Sequence, residues 1–164
     1  MGKFRFCALE EMDREEMLPA LFRILYRNMN GIVPSDQDYE ADERAWMAYI
    51  LPSLEEGDTK VILMYRENSL AGYFQYRIVG DTLCADEVEV KEEYQRTFLF
   101  FRLCQYLRCS LPENVRYVSS YVNKKNDNSI AIHEKLGMVR MGENRTGSSW
   151  YYRGERKAME ERFR

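Results

Sequence analysis

The sequence predicts a single-domain α/β protein (α+β by some schemes) with a mixed, mostly antiparallel central sheet and helices on both of its faces. Short apolar runs with period-two alternation predict strands, and longer segments with apolar residues three and four positions apart predict helices. The two kinds of segment are interleaved along a chain of 164 residues, the usual size of one domain. We therefore expect one domain over residues 1–153 and a short, mobile tail over 154–164.

The N-terminal segment predicts a strand followed by a helix. Apolar residues alternate with others over residues 4–8, as they do in a half-buried strand. Asp13, with Glu16 three residues later, is typical of a capping box at the start of a helix. Apolar residues at helical spacing follow, and Gly31 is expected to end this helix.

A second helix and a hairpin are predicted next. Ser35 or Asp36 is expected to cap the helix, and Pro52 is expected to stop it. The apolar runs over residues 61–65 and 70–78 then predict two strands joined by a short turn.

The second half of the chain predicts alternating strands and helices. These elements are a strand over 82–90, a helix over 97–110, a strand over 115–122, a helix over 128–135, and a final hairpin of 138–141 with 150–152. The core-facing stripe of the helix over 97–110 is expected to consist of Phe100, Leu103, Cys104, Leu107 and Leu111.

Composition excludes several functional classes. The net charge of -3 and the pI near 5.4 argue against a nucleic-acid partner, which would need a basic surface. No apolar run approaches the roughly 20 residues of a membrane-spanning helix, and no secretory signal is visible, so we expect a cytoplasmic protein with no membrane partner. Four cysteines without paired spacing and a single histidine predict no metal site.

Two segments point to a chemistry. Residues 126–138 read Asn-Asp-Asn-Ser-Ile-Ala-Ile-His-Glu-Lys-Leu-Gly-Met and follow the strand-like run 115–122. They resemble the Asn-x-x-Ala-x-x-x-Tyr-x-Lys-x-Gly-Phe segment of the GNAT superfamily of N-acetyltransferases, which transfers an acyl group from coenzyme A to an amine. A second family-like segment, 90–95, lies upstream in the expected order. The resemblance covers roughly residues 59–153.

The resemblance implies a sheet that is splayed between the strand ending near Val90 and the strand ending near Val122. In the family this gap holds the pantetheine arm of acetyl-CoA or another acyl-CoA, and no metal takes part. Backbone amides near Val88 to Val90 would stabilise the oxyanion as an amine attacks the thioester directly. The expected acceptor is an amine of a small molecule or peptide, and the chain could form a homodimer.

Glu87 and Glu89 are the candidates for the general base that takes the amine proton, often through water. Alternate residues of a strand share a face, so the two carboxylates are expected to lie together near the open end of their strand. Both could equally be solvated charges on the sheet, since exposed glutamates are common. Asp86 is a lesser candidate.

His133 stands where most family members have the tyrosine that protonates the departing thiolate. A neutral imidazole still has one N–H to donate, so the histidine could replace the phenol, or it could have no role. Asn126 matches the asparagine that binds the pantetheine amides, and it could also cap the helix that follows. Ser129, in the same segment, is predicted to contribute to the cofactor site.

The pyrophosphate-binding loop departs from the family pattern, Gln/Arg-x-x-Gly-x-Gly/Ala. Residues 95–100 read Gln-Arg-Thr-Phe-Leu-Phe, with phenylalanine at both glycine positions. Helical side chains lean toward the N-terminus, so Phe98 is expected to project where a phosphate would approach, while Arg96 could still contact a phosphate. The cofactor-binding residues implied by the resemblance are Val88, Val90, Gln95, Arg96, Thr97, Phe98, Leu99, Phe100, Asn126 and Ser129.

The leading functional hypothesis is an N-acetyltransferase. Two others are compatible with the altered loop. The acyl group could come from a different carrier, such as acyl carrier protein, or the chain could be a binding or regulatory module that keeps the fold without catalysis.

Overall fold

A computed structural model describes residues 3–162 of the chain. Its helices and strands are β1 (Phe4–Ala8), α1 (Arg14–Asn30), α2 (Tyr39–Glu55), β2 (Lys60–Arg66), β3 (Ser69–Val79), β4 (Thr82–Val90), α3 (Leu99–Ser110), β5 (Tyr117–Asn123), α4 (Asp127–Lys135), β6 (Val139–Glu143), β7 (Ser149–Glu155) and α5 (Arg156–Glu161). Short 3-10 helices at Glu11–Asp13 and Glu92–Tyr94 precede α1 and follow β4.

The strands form one seven-stranded sheet in the order β1-β2-β3-β4-β5-β7-β6. β1–β2, β5–β7 and β6–β7 pair antiparallel, whereas β4 and β5 pair parallel, so the predicted mixed sheet is confirmed. Pairing of β4 with β5 ends at Ala85 and Ser120, although both strands continue. An early end of pairing is what a splayed sheet requires.

The chain divides into two compact units. Unit 1 contains the residues up to Gln75 together with Glu87–Leu99, and unit 2 contains Tyr76–Asp86 together with the residues from Phe100 onward. The boundary falls within β3 and within β4, so each of these strands contributes to both units.

In unit 1, α1 and α2 bury one side of each helix against the sheet. Their buried residues recur at helical spacing, which places them on one face of each helix. The core consists of Leu18, Leu21, Phe22, Ile24, Trp46, Ile50, Leu54, Val61, Leu63 and Tyr73. The two helices therefore cover the sheet face that carries Tyr73 of β3.

In unit 2, a smaller core joins the last strands to α4 and α5. Val122, Met138 and Tyr152 are buried there. Ile130 of α4 and Met159 of α5 pack against them. This core holds α4 and α5 to one face of β5 and β7.

Two predictions about helix starts were wrong. Asp13 stands at the N-cap of α1, but its side chain makes no capping hydrogen bond, so the predicted capping box is absent. The second helix is capped by Asp38, whose Oδ1 accepts the N–H of Ala41 at 2.7 Å, and not by Ser35 or Asp36. All three candidate residues can cap a helix, so local sequence does not choose among them.

The second helix also does not stop at Pro52. It continues to Glu55, and Pro52 lies in its last turn. A proline lacks an N–H, but its carbonyl still accepts a hydrogen bond, here from the N–H of Glu56 at 2.9 Å. One missing hydrogen bond near a helix end is not enough to break the helix.

The segment from residue 154, predicted as a mobile tail, contains regular secondary structure as far as Glu161. β7 pairs with β5 as far as Glu155, and α5 follows directly. Arg156 ties α5 to the rest of unit 2, since its guanidinium donates to the carbonyls of Pro112 at 2.8 Å and Arg108 at 3.1 Å. A charged residue that suggested a solvated tail therefore makes hydrogen bonds that fix this segment.

No helix among residues 3–162 is long and apolar enough to cross a membrane.

Candidate active site

Glu87 is held in unit 1 by two hydrogen-bond donors. The phenol of Tyr73 donates to Oε2 at 2.6 Å, and the indole N–H of Trp46 on α2 donates to Oε1 at 3.4 Å. Burial, together with the charges of Glu87 and Glu89, raises the pKa of Tyr73 well above its usual value, so this phenol stays a donor. Donors from β3 and α2 therefore engage both carboxylate oxygens of Glu87.

Glu89 lies on the same face of β4 and has a different environment. Asn28 of α1 donates from Nδ2 to Oε2 at 2.7 Å. Burial raises the pKa of Glu89 from 4.5 to about 8; the Asn28 hydrogen bond opposes this rise, and the charge of Glu87 adds to it. Neither glutamate is exposed, so they are not the solvated charges that the sequence also allowed.

The backbone at the end of β4 is held by side chains. The N–H of Lys91 donates to the carbonyl of Ala71 on β3 at 2.9 Å. Because a peptide unit is planar and trans, the carbonyl of Val90 in the same unit points away from β3. That carbonyl accepts from Asn28 Nδ2 and from Gln95 Nε2, both at 3.0 Å.

Gly72 of β3 permits the close approach of β4 at this point. A Cβ added at Gly72 would clash with the carbonyl oxygen of Glu89 and would lie 3.0 Å from the Cα of Val90. Only a residue without a side chain fits, so this glycine fixes where the end of β4 runs.

Asp86, the lesser base candidate, lies in unit 2 and is paired with a cation. Arg77 donates to both of its carboxylate oxygens, at 2.8 and 2.9 Å. Both oxygens of Asp86 are therefore engaged by one guanidinium.

The loop after β4 uses its side chains to hold its own backbone. Thr97 donates to the carbonyl of Tyr94 at 2.6 Å and accepts the N–H of Leu99 at 3.3 Å. The helix therefore begins at Leu99 and not at residue 97 as predicted. Arg96 adopts a left-handed conformation, with φ of 61°, and its side chain is exposed.

The two phenylalanines of the loop differ in exposure. Phe98 is 61% exposed, as expected for a ring that projects outward. Leu99 is 1% exposed and Leu103 is also buried, while Phe100 is only partly buried. Leu103 is thus buried as predicted, Phe100 is less buried than predicted, and Leu99 adds its side chain to the core.

In unit 2, His133 lies on α4 and is partly buried. Its Nδ1 lies 2.7 Å from the carbonyl oxygen of Ser129, and because a carbonyl can only accept, Nδ1 carries a proton. Burial lowers the pKa of His133, and the hydrogen bond to Ser129 opposes this. A neutral ring of this tautomer presents Nε2 as an acceptor, so proton donation from Nε2 requires the imidazolium form.

Asn126 caps α4. Its Oδ1 accepts the N–H of Ser129 at 3.1 Å, which confirms the capping role predicted for it. The hydroxyl of Ser129 lies 3.4 Å from Nδ1 of His133. The contacts of Asn126 and Ser129 with a cofactor stay predictions.

Sequence reasoning missed four residues that build the carboxylate site in unit 1: Asn28, Trp46, Gly72 and Tyr73. A signal existed for two of them. Asn28 is a polar residue that continues the apolar spacing of α1, which indicates a buried position that needs a partner. Gly72 interrupts an apolar strand, as glycines do where another backbone comes close.

No arrangement of three or more His, Cys, Asp or Glu side chains that could hold a metal ion exists in the described part of the chain.

No protein-family model and no curated protein matches the sequence. Solved structures do match. An acetyltransferase from Thermus thermophilus is 16% identical, with a TM-score of 0.73 over 94% of this chain and 99% of that one. The PaiA N-acetyltransferase from Thermoplasma acidophilum, in complex with coenzyme A, is 15% identical, with a TM-score of 0.69 over 93% and 99%.

A spermidine N-acetyltransferase from Vibrio cholerae, in complex with coenzyme A and spermine, is 15% identical. Its TM-score is 0.65 over 95% of this chain and 97% of that one. Another structure with a TM-score of 0.69 over 98% of this chain is described as a nucleotide-linked sugar GNAT. At such low identity, these similarities show that the chain has the GNAT acetyltransferase fold.

Replacing Glu89 with glutamine should change how stability depends on pH. The folded state keeps the proton of Glu89 up to about pH 8, whereas the unfolded chain loses it near pH 4.5, so the free energy of unfolding falls as pH rises between these values. Glutamine does not titrate, so the free energy of unfolding of the variant does not fall for this reason. We expect it to gain roughly 3–5 kcal/mol relative to the original protein between pH 4 and pH 9.

Urea unfolding at several pH values would measure the effect. Glu93→Gln is the matched control, because Glu93 is an exposed glutamate of the same segment. Parallel pH curves for the Glu89 variant and the original protein would contradict the buried, proton-binding carboxyl.

Proposed function

We propose that this chain, which has the fold of the GNAT acetyltransferases, is an N-acyltransferase that moves an acetyl group from acetyl-CoA to an amine. The observation that carries the proposal is Glu89. Its carboxyl lies in a partly buried position at the end of β4 and has a pKa of about 8, which suits a group that must take a proton from an amine near neutral pH.

The structural neighbours support the class of donor and acceptor. Two of them are in complex with coenzyme A, and one of these also holds spermine. For this chain we propose acetyl-CoA, or another acyl-CoA, as the donor and an amine of a small molecule or peptide as the acceptor. For the acceptor, we propose the functional group, an amine, and not a particular molecule.

In the proposed reaction, the amine nitrogen attacks the thioester carbonyl carbon. A C–N bond forms, the C–S bond breaks, the amine loses a proton to the carboxylate of Glu89, and the thiolate leaves. Backbone N–H groups near Val88 to Val90 are proposed to stabilise the oxyanion. Glu87 accepts hydrogen bonds from Tyr73 and Trp46, and its charge helps to keep the pKa of Glu89 high.

We propose that His133 donates a proton to the departing thiolate and that Asn126 and Ser129 contact the cofactor. His133 can donate a proton to sulfur from Nε2 only as imidazolium, since Nδ1–H is bound to Ser129. Oδ1 of Asn126 caps α4, so the proposed contact with the cofactor is made by its amide nitrogen.

The loop after β4 favours a second candidate function. Gln95 and Thr97 bind the loop's own backbone, and Phe98 presents an exposed ring in place of the first family glycine. This loop offers less to a diphosphate than the family pattern does. A donor on acyl carrier protein, or a binding role without catalysis, would need no diphosphate site.

Glu89→Gln should abolish most of the turnover. We expect a loss of about 10²–10⁴-fold with acetyl-CoA and a good amine acceptor, which is typical of a positioned base. In the original protein, the rate should rise about tenfold per pH unit and level off above pH 8, because only the ionised carboxyl accepts a proton.

Glu87→Gln is the matched control for this experiment. It removes the neighbouring charge but leaves the proposed base, so the rate should survive and its pH midpoint should move downward. A large loss in the Glu87 variant with little loss in the Glu89 variant would assign the base to Glu87.

Variants of His133 test the proposed proton donor to sulfur. His133→Tyr restores the donor that the family usually has and should keep most of the activity, while His133→Ala should lower it. Burial lowers the pKa of His133, so little of the imidazolium form exists at high pH. The activity of His133→Tyr should therefore exceed that of the original protein most at high pH. Equal rates for all three proteins at every pH would exclude this role.

Phe98→Gly tests whether the exposed ring obstructs coenzyme A. If it does, calorimetric titration should show tighter binding in the variant, although glycine should cost roughly 0.5–1 kcal/mol of stability. Phe98→Ala separates the loss of the ring from the added backbone freedom. No binding at millimolar coenzyme A in any of the three proteins would leave the second candidate function.

A further inference from the structure

Asn28 makes an unusual pair of contacts at the end of β4. The single amide nitrogen of its side chain donates to Oε2 of Glu89 at 2.7 Å and to the backbone carbonyl of Val90 at 3.0 Å. An amide nitrogen has two hydrogens, so these two bonds use its full donor capacity. Both hydrogens of one group on α1 are therefore committed to adjacent residues of β4.

One acceptor belongs to a side chain, and the other belongs to the backbone. A carboxylate on a flexible glutamate side chain can adopt several rotamers, and the bond to Asn28 selects one. The Val90 carbonyl points away from β3, and Asn28 and Gln95 together satisfy both of its lone pairs. Asn28 thus links the side-chain carboxylate to the strand backbone next to it.

We propose that Asn28 is a positioning residue that holds the Glu89 carboxylate and the Val90 carbonyl in one fixed arrangement, an inference that rests on the proposed role of Glu89 as the base. It contacts no reacting atom itself. A base acts only within hydrogen-bond reach of the proton it takes, so fixing the carboxylate against the strand end sets where an amine can lose its proton.

The contact also sets the proton affinity of Glu89. The titratable groups that face Glu89 are Glu87 on β4 and Tyr73 on β3, while Asn28 of α1 carries no charge. The Asn28 hydrogen bond lowers the pKa of Glu89, against the effects of burial and of Glu87. Removing the bond without removing the burial should therefore raise the pKa further.

The experiment compares Asn28→Ala with Asn30→Ala, a second asparagine at the end of the same helix, whose Oδ1 accepts the N–H of Ser35. Carbon-13 NMR of labelled glutamate carboxyls follows the titration of Glu89 in each protein, and the signal that disappears in Glu89→Gln identifies it. We expect the Glu89 midpoint to rise by about one pH unit in Asn28→Ala, as expected for the loss of a hydrogen bond to a charged group, and to stay unchanged in Asn30→Ala.

The rate measurement then tests positioning. In Asn28→Ala, the midpoint of the pH–rate profile should rise with that of Glu89, and turnover above this midpoint should still be about tenfold lower, because the ionised carboxylate is no longer held. Asn28→Ser, which is too short to reach both acceptors, should behave in the same way and serves if the alanine variant does not fold. Circular dichroism verifies folding before each titration.

An unchanged Glu89 titration in folded Asn28→Ala or Asn28→Ser overturns the proposal, and so does full turnover above the shifted midpoint. The NMR result does not depend on enzymatic activity. If the original protein shows no acyl transfer at any pH while the Glu89 midpoint still rises in Asn28→Ala, the proposed function fails and the hold of Asn28 on Glu89 stands.

Discussion

The burial of Glu89 beneath α1 is the constraint on which the proposed chemistry depends. An isolated carboxylate costs free energy when it leaves water, and the protein supplies Glu89 with only one described hydrogen-bond donor, Asn28. The proton therefore stays on the carboxyl to about pH 8. Glu87, two residues away on the same face, accepts hydrogen bonds from two donors, Tyr73 and Trp46.

The neighbouring carboxyls of Glu87 and Glu89 have different hydrogen-bond donors and different proposed roles. If both were equally bound, they would titrate as a coupled pair, and the raised pKa would belong to the pair and not to Glu89 alone. Tyr73 and Trp46 donate hydrogen bonds to Glu87, whose negative charge acts on Glu89. The same charge makes ionisation of Glu89 harder. The two carboxyls therefore differ in their described donors, which lie on β3 and α2 for Glu87 and on α1 for Glu89.

The path of the backbone decides which of these contacts can form. Gly72 allows β4 to come closer to β3 than any side chain would permit, and the Val90 carbonyl then points away from β3 toward Asn28 and Gln95. Shifting β4 outward would move the carboxylate of Glu89 and the carbonyl of Val90 together, because they belong to adjacent residues. The glycine and the asparagine therefore fix the same piece of strand from two sides.

Sequence patterns predicted what depends on near neighbours in the chain. Alternation along β4 was enough to place Glu87 and Glu89 on one face, and turn residues were enough to locate the hairpins. Asn28 could not be paired with Glu89 in this way, since 61 residues separate them. The tautomer of His133 was likewise hidden, because it is set by the carbonyl of Ser129 once the helix has formed.

The loop after β4 shows how a family pattern can keep a residue and change its use. Gln95 matches the first position of that pattern, yet its amide donates to the Val90 carbonyl of its own chain. Thr97 likewise occupies the N–H of Leu99, one of the donors that a helix start could offer to a phosphate. Besides the remaining N–H groups at the start of α3, the exposed guanidinium of Arg96 could attract a diphosphate at this loop. A lone exposed cation is screened by salt, so any affinity that it provides should weaken as ionic strength rises.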